Sequence, residues 1–182
     1  NSDKTLAHIV ASKDIDGFNI ENMGRLALKK PGLHPCTPKG IMCLLRHYIG
    51  DITGLNAVII GASNIVGRPM LLEFLNERCT VTVCNRATKN LREETRRADI
   101  LVAAAGVAHL IDDTMIKRDA IVIDVGIHRV DVGGDTLIGD VVFDKVAPIA
   151  SWITPVPGGV GPMTVAAVMQ NLILATEMRH GL

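Results

Sequence analysis

"LNAVIIGASNIVGRPMLLEFLNER" (Leu55–Arg78) joins a short apolar run to an amphipathic one through a glycine. The first part, "LNAVIIG", carries no polar alternation after Asn56 and reads as a strand buried on both faces, as in a parallel sheet. From Asn64 to Arg78, apolar Ile65, Leu72, Phe74 and Leu75 lie opposite the charged residues, and the spacing predicts a helix. The joint between them is Gly61-Ala62-Ser63-Asn64-Ile65-Val66-Gly67. N–H groups of a first helical turn, with the helix dipole behind them, can hold a pyrophosphate at such a place. The joint departs from G-x-G-x-x-G, because Ser63 stands where the second glycine belongs and Gly67 comes one residue late. Alone, it fits either a nucleotide site or an ordinary strand–helix turn.

The same punctuation recurs downstream. "CTVTVCN" (Cys79–Asn85), "DILVAAAG" (Asp99–Gly106) and "AIVIDVG" (Ala120–Gly126) read as further strands, and "TKNLREETRRAD" as a short surface helix resting on Leu91 and Ala98. Strands alternating with helices predict an α/β fold, a Rossmann-like, doubly wound, mostly parallel sheet. "GGDTLIGDVVF" reads as a small hairpin or an irregular excursion, with Gly133–Gly134 as the turn signal, and "SWITPV" as one more short strand. A closing helix follows, with Gly161 before it, Pro162 at its first position and Gly181 after its end. Upstream, Thr37 is the expected N-cap of a helix starting near Pro38, and the more polar stretch before it reads as the tail of a second α/β domain. The expected boundaries are 1–36 for that remnant, 37–54 for a linking helix, 55–160 for the nucleotide domain and 161–182 for the closing helix.

Composition narrows the partners. Hydrophobic residues make up 48% and charged residues 21% of 182, enough for a substantial core. Nineteen basic residues balance nineteen acidic ones, and Trp152 and Tyr48 are joined by only three Phe, which disfavours nucleic acid and anionic membranes as main partners. The four cysteines lack metal-ligand spacing, and Cys79 and Cys84 fall in a strand-like run where reduced, buried thiols are expected, as in a cytoplasmic protein. The six histidines form no cluster, so no metal site is expected. Ser63 has no recognisable His/Asp partners, and a hydrolase elbow is not supported.

Two further places carry chemistry. About 25 residues beyond Gly61, where an NAD reader presents an acid to the ribose 2′-hydroxyl, this chain has Asn85-Arg86-Ala87-Thr88-Lys89. A guanidinium there suits the 2′-phosphate of NADP; a solvated basic loop is the other reading. Asp14 and Asp16 in "KDIDGFN" read first as turn chemistry, with metal binding or acid–base work as the alternative. Asp124, inside an apolar strand, reads as a satisfied structural carboxylate.

"KDIDGFN", "PCTPKG", "GLNAVIIGASNIVGRPM", "TKNL", "AIVIDVGI", "GDVVF" and "ITPVPGGVGPMTV" occur in that order. Together they closely resemble the bifunctional methylenetetrahydrofolate dehydrogenase/cyclohydrolase family, from about Lys13 to the end. The resemblance implies NADP⁺-dependent oxidation of 5,10-methylenetetrahydrofolate to the 5,10-methenyl form, then hydrolysis to 10-formyltetrahydrofolate, by a homodimer. It implies a catalytic, folate-binding role for Asp16 and substrate contacts at Pro157, Gly158 and Gly159. It implies cofactor contacts at Thr37, Gly61, Ala62, Ser63, Ile65, Gly67, Arg86, Gly106 and Ile127. The turn at Gly61 and the proline–glycine loop are expected to face one crevice, where prolines fix the backbone and glycines let it lie flat against ring systems.

One departure stands beside the match. The family's Tyr-x-x-x-Lys motif is absent: Tyr48, the only tyrosine, is followed by Ile49-Gly50-Asp51-Ile52, and the family's Gln ahead of a Leu-Pro run is missing too. With no Met at Asn1, the chain is expected to be the C-terminal two-thirds of such an enzyme, impaired alone in the cyclohydrolase step. A non-catalytic NADP-binding module is the rival expectation.

Overall fold

The computed structural model describes residues 8–131 and 135–181. Helices α1 (Ile20–Ala27) and α2 (Cys36–Tyr48) precede β1 (Asn56–Ile60), α3 (Gly67–Asn76), β2 (Thr80–Cys84), α4 (Leu91–Thr95) and β3 (Ile100–Ala103). Then come β4 (Ile121–Asp124), the hairpin β5 (His128–Asp131) and β6 (Asp135–Ile138), α5 (Phe143–Val146), β7 (Trp152–Ile153) and α6 (Val160–His180).

Five strands form one parallel sheet in the order β2-β1-β3-β4-β7, while β5 and β6 pair antiparallel apart from it. The continuous apolar runs are explained by burial on both faces. Ile59, Ile100, Val102 and Ile123 point to a core shared with Ile41, Met42 and Leu45 of α2 and Met70 and Phe74 of α3. Their neighbours Val58, Ile60, Leu101 and Val122 point the other way, against Ala98, Ile111, Ile116 and Val146. At about 25 cal/mol per Å² of apolar area withdrawn from water, these two interleaved sets are the main force holding the sheet.

The nucleotide-domain strands stand where the sequence predicts them; of the hairpin, β6 falls in the "GGDTLIGDVVF" stretch while β5 precedes it, and residues 132–134, including the expected Gly133–Gly134 turn, lie outside the described residues. Several local expectations are corrected. The helix after β1 starts at Gly67, not Asn64, because Gly61 to Val66 form the turn; its buried face is Pro69, Met70, Glu73 and Phe74, while Ile65 and Leu75 are exposed. Glu73 tolerates burial because its Oε1 pairs with His34 Nδ1 at 2.8 Å. Thr37 is not an N-cap: α2 begins at Cys36 behind Pro35, and Thr37 Oγ1 instead accepts from Thr164 Oγ1 at 3.1 Å. Pro162 is the third residue of α6 rather than the first, since Gly159 caps it, whereas Gly181 ends it in the left-handed conformation as expected. Helix α1, N-capped by the Asn19 side chain, occupies a stretch that reads as turn-rich. Cys79 precedes β2 rather than lying within it, and both Cys79 and Cys84 are buried free thiols. Among the described residues, no helix is long and apolar enough to cross a membrane.

Candidate functional site along the carboxyl edge of the sheet

β1 is the strand from which the chain goes one way to β2 and, on its next return, the other way to β3. Crossovers leaving in opposite directions open a crevice at the carboxyl ends of those strands, the place where open α/β sheets take ligands. Here it is a hollow of about 440 Å³ lined by Gly61, Ala62 and Ser63 from the β1 turn, Arg86 from the end of β2 and Ala104 and Ala105 from the end of β3.

The turn is built for close approach. Gly61 has φ 110°, and a Cβ on it would run into the carbonyl of Ala104; a Cβ on Gly67 would run into the carbonyl of Gly61. Both residues must therefore be glycine, which accounts for the spacing that departs from G-x-G-x-x-G. Ser63 fills the second-glycine place and accepts from the N–H groups of Val66 (3.2 Å) and Gly67 (3.4 Å), so its hydroxyl sits at the start of α3. This turn of small residues in front of a ten-residue helix, with one hydroxyl at the helix start, fits the pyrophosphate of a dinucleotide.

At the end of β2, Asn85 folds the chain back on itself. Its Oδ1 accepts from Ala87 N (2.8 Å), its N donates to Thr88 Oγ1 (2.9 Å), and Arg86 is left exposed at the rim. A free guanidinium on a fixed turn suits a phosphate dianion.

A second hollow, of about 450 Å³, opens farther along the same edge, beyond the ends of β4 and β7. Its walls come from Asp124 to Ile127 on one side and Pro155 to Pro162 on the other, with Thr37 and Leu137 closing it. The Val156–Pro157 peptide is cis, and Gly158 at φ 101° carries the loop over the top with nothing within 4 Å of where a Cβ would stand. The expected single crevice is thus a pair of hollows side by side, since β3 and β4 are neighbours.

Between them lies a buried carboxylate network. Asp124 accepts from the backbone N–H of Gly126 (2.9 Å), Asp140 (3.0 Å) and Val141 (3.0 Å), and its own N donates to Thr154 Oγ1 (2.8 Å). Burial pushes its carboxyl above the ordinary range, against the pull of those donors. It is the satisfied structural acid that the sequence predicts. Asp140 and His128 join this network without having been singled out; the only signal was an acid set between apolar neighbours in "IGDVV", the pattern that also marks Asp124.

The remaining expected site residues divide as follows. Ile127 and Thr37 line the second hollow with Pro157, Gly158 and Gly159. Gly106 and Ile65 are exposed beside the first hollow but do not line it. Asp16 is exposed on a loop outside both hollows, two residues after buried Asp14, whose carboxylate accepts from Gly17 N, Asn19 N and Asn22 Nδ2.

Residues 35–180 match the family described as "Tetrahydrofolate dehydrogenase/cyclohydrolase, NAD(P)-binding domain". The chain is 54% identical over 171 residues to the bifunctional protein FolD of Vesicomyosocius okutanii, covering 94% of this chain and 61% of that one. The crystal structure of the FolD dehydrogenase/cyclohydrolase of Campylobacter jejuni superposes with a TM-score of 0.94 at 48% identity, over 98% of this chain and 63% of that one. The Trypanosoma brucei enzyme, solved with NADP cofactor and an inhibitor, gives 0.92 at 37%, over 98% and 63%. The chain therefore spans about three-fifths of the length of the relatives it matches.

Proposed function

The chain belongs to the tetrahydrofolate dehydrogenase/cyclohydrolase family, and on that premise we propose that the two hollows hold the two halves of one NADP⁺, serving oxidation of 5,10-methylenetetrahydrofolate to its 5,10-methenyl form and hydrolysis of that product to 10-formyltetrahydrofolate. The observation that carries the reading is the turn at the switch point that admits only glycine at Gly61 and Gly67, with Arg86 at the rim of the hollow.

In this account the cradle and the α3 N-terminus take the pyrophosphate, and Arg86 takes the 2′-phosphate. Bound NADP⁺ supplies a hydride acceptor in its nicotinamide ring. The chain's part is to hold that ring: Gly126 and Ile127 on one side and the Pro155–Pro162 loop on the other leave a slot with little polar side chain. Apolar walls of this kind hold the ring in one pose for a hydride transfer that needs its partners about 3–3.5 Å apart. Pro157, Gly158 and Gly159 form the substrate side of the slot, and Asp16 holds the pterin.

The domain reading follows the same line. Val165, Met169, Leu172 and Ile173 make an exposed apolar stripe on α6 at helical spacing, suited to packing toward the folate-binding domain. The working enzyme is a homodimer in the cytoplasm. A non-catalytic NADP-binding module is the second reading, supported by the position of Asp16 outside both hollows.

Titrating the chain with NADP⁺ and NAD⁺ by calorimetry tests the cofactor; NADP⁺ is expected to bind one-to-one and more tightly. Turnover of methylenetetrahydrofolate by the full-length enzyme separates the two readings, because a binding module gives none.

A further inference from the structure

Asp140 is fully buried, lines neither hollow, and bonds to a wall residue of each, Ala105 of the first and Asp124 of the second. Its Oδ2 accepts from Ala105 N (2.7 Å) and Gly106 N (3.0 Å), in the loop that closes the first hollow beyond β3. Its Oδ1 meets His128 Nε2 at 2.7 Å, and its own N donates to Asp124 Oδ1, in the wall of the second hollow. His128 directly follows Ile127, the 62%-exposed residue at the lip of that hollow. A carboxylate with no exposure is tolerated only when its lone pairs are met, and here they are met by groups from two separate loops. Moving either loop alone would break part of this set of bonds, so Asp140 ties the position of one loop to that of the other.

We infer that the His128–Asp140 pair is a latch between the hollows, with His128 a positioning residue that holds the Ile127 lip against the nicotinamide half of the dinucleotide. The inference rests on the two-hollow reading of the cofactor site. The hairpin itself does not need the imidazole, since β5 and β6 pair through their backbones from His128↔Ile138 onward. The ring is partly exposed, with 23% side-chain exposure, so water can replace it on Asp140 when it is removed. Its loss frees the lip while leaving the Ala105 and Gly106 N–H bonds in place.

The test is calorimetry of the chain and its His128→Ala variant with NADP⁺ and with 2′-phospho-ADP-ribose, which lacks the nicotinamide ring. NADP⁺ is expected to bind the variant about tenfold more weakly, the scale of one lost charge-assisted bond, with the fragment's affinity changed less than about twofold. His128→Gln, whose amide can still donate to Asp140, is expected to regain most of the loss. Equal weakening of both ligands would mean a merely structural role and overturn the latch, as would no change in either. Failure of the unaltered chain to bind either ligand would instead bring down the two-hollow reading, and the latch with it.

Discussion

Lys39 and Asn171 meet across 132 positions of sequence: the Lys39 Nζ on α2 donates to the Asn171 Oδ1 on α6 at 2.8 Å. Asn171 is fully buried, and its amide nitrogen donates to the carbonyls of Ile15 (2.7 Å) and His34 (2.8 Å). One side chain thus ties the "KDIDGFN" loop, the start of α2 and the middle of α6 together. Burial lowers the Lys39 ammonium's pKa, in keeping with a cation held mostly by a neutral amide.

Asn171→Ala leaves two carbonyls and an ammonium short of a partner. Loss of about 2–4 kcal/mol of stability is expected from urea unfolding. A change below about 0.5 kcal/mol would mean that the three segments are held by packing alone.

Asp14 and Asp16 part company in the same loop. Asp14→Ala removes the acceptor for Gly17 N, Asn19 N and Asn22 Nδ2 and is expected to destabilise by about 1.5–3 kcal/mol. Asp16→Ala, at an exposed position, is expected to stay within about 0.5 kcal/mol while crippling folate turnover in the full-length enzyme. Normal folate kinetics with Asp16→Ala would end the assignment.

Arg86→Ala is expected to weaken NADP⁺ by about 1–3 kcal/mol and leave NAD⁺ nearly untouched. Equal losses on the two nucleotides, read side by side in one titration series, would make Arg86 a general surface charge.

The buried thiols set a limit at alkaline pH. Burial, the first cause, pushes Cys36 and Cys79 up to about 11 from an ordinary 9.0. A raised folded value means the unfolded chain gives up its protons first, so stability is intact below pH 9 and declines as pH rises toward 11. Urea midpoints across that window are expected to fall, and less steeply in the Cys36→Ala/Cys79→Ala variant. An unchanged slope in the variant would assign the decline to other groups.

The sheet was legible because parallel strands buried on both faces leave unbroken apolar runs such as "AVII" and "ILVA", each ended by a glycine or a turn. Helix limits were less so. Pro162 signals a helix start, but proline is tolerated anywhere in the first turn, and the chain turns into α6 already at Val160. Helix α1 was missed because its buried contacts are few, Asn22 and Leu26, and the polar cap that starts it resembles a turn. At the site, backbone-defined features such as the Gly61 turn and the Pro155–Pro162 loop can be read from residue type, because only glycine and proline do what they do there. The Asp140–His128 pair cannot: nothing in the sequence says that residues in a hairpin and in the loop after β3 will share one carboxylate.

The central claim is that one dinucleotide spans both hollows. A crystal structure of the chain with NADP⁺ measures this directly. The account predicts the 2′-phosphate within hydrogen-bond reach of Arg86, the pyrophosphate over Gly61–Gly67 and the nicotinamide ring between Ile127 and the Pro155–Pro162 loop. A cofactor bound elsewhere, or one that leaves the second hollow empty, would contradict it.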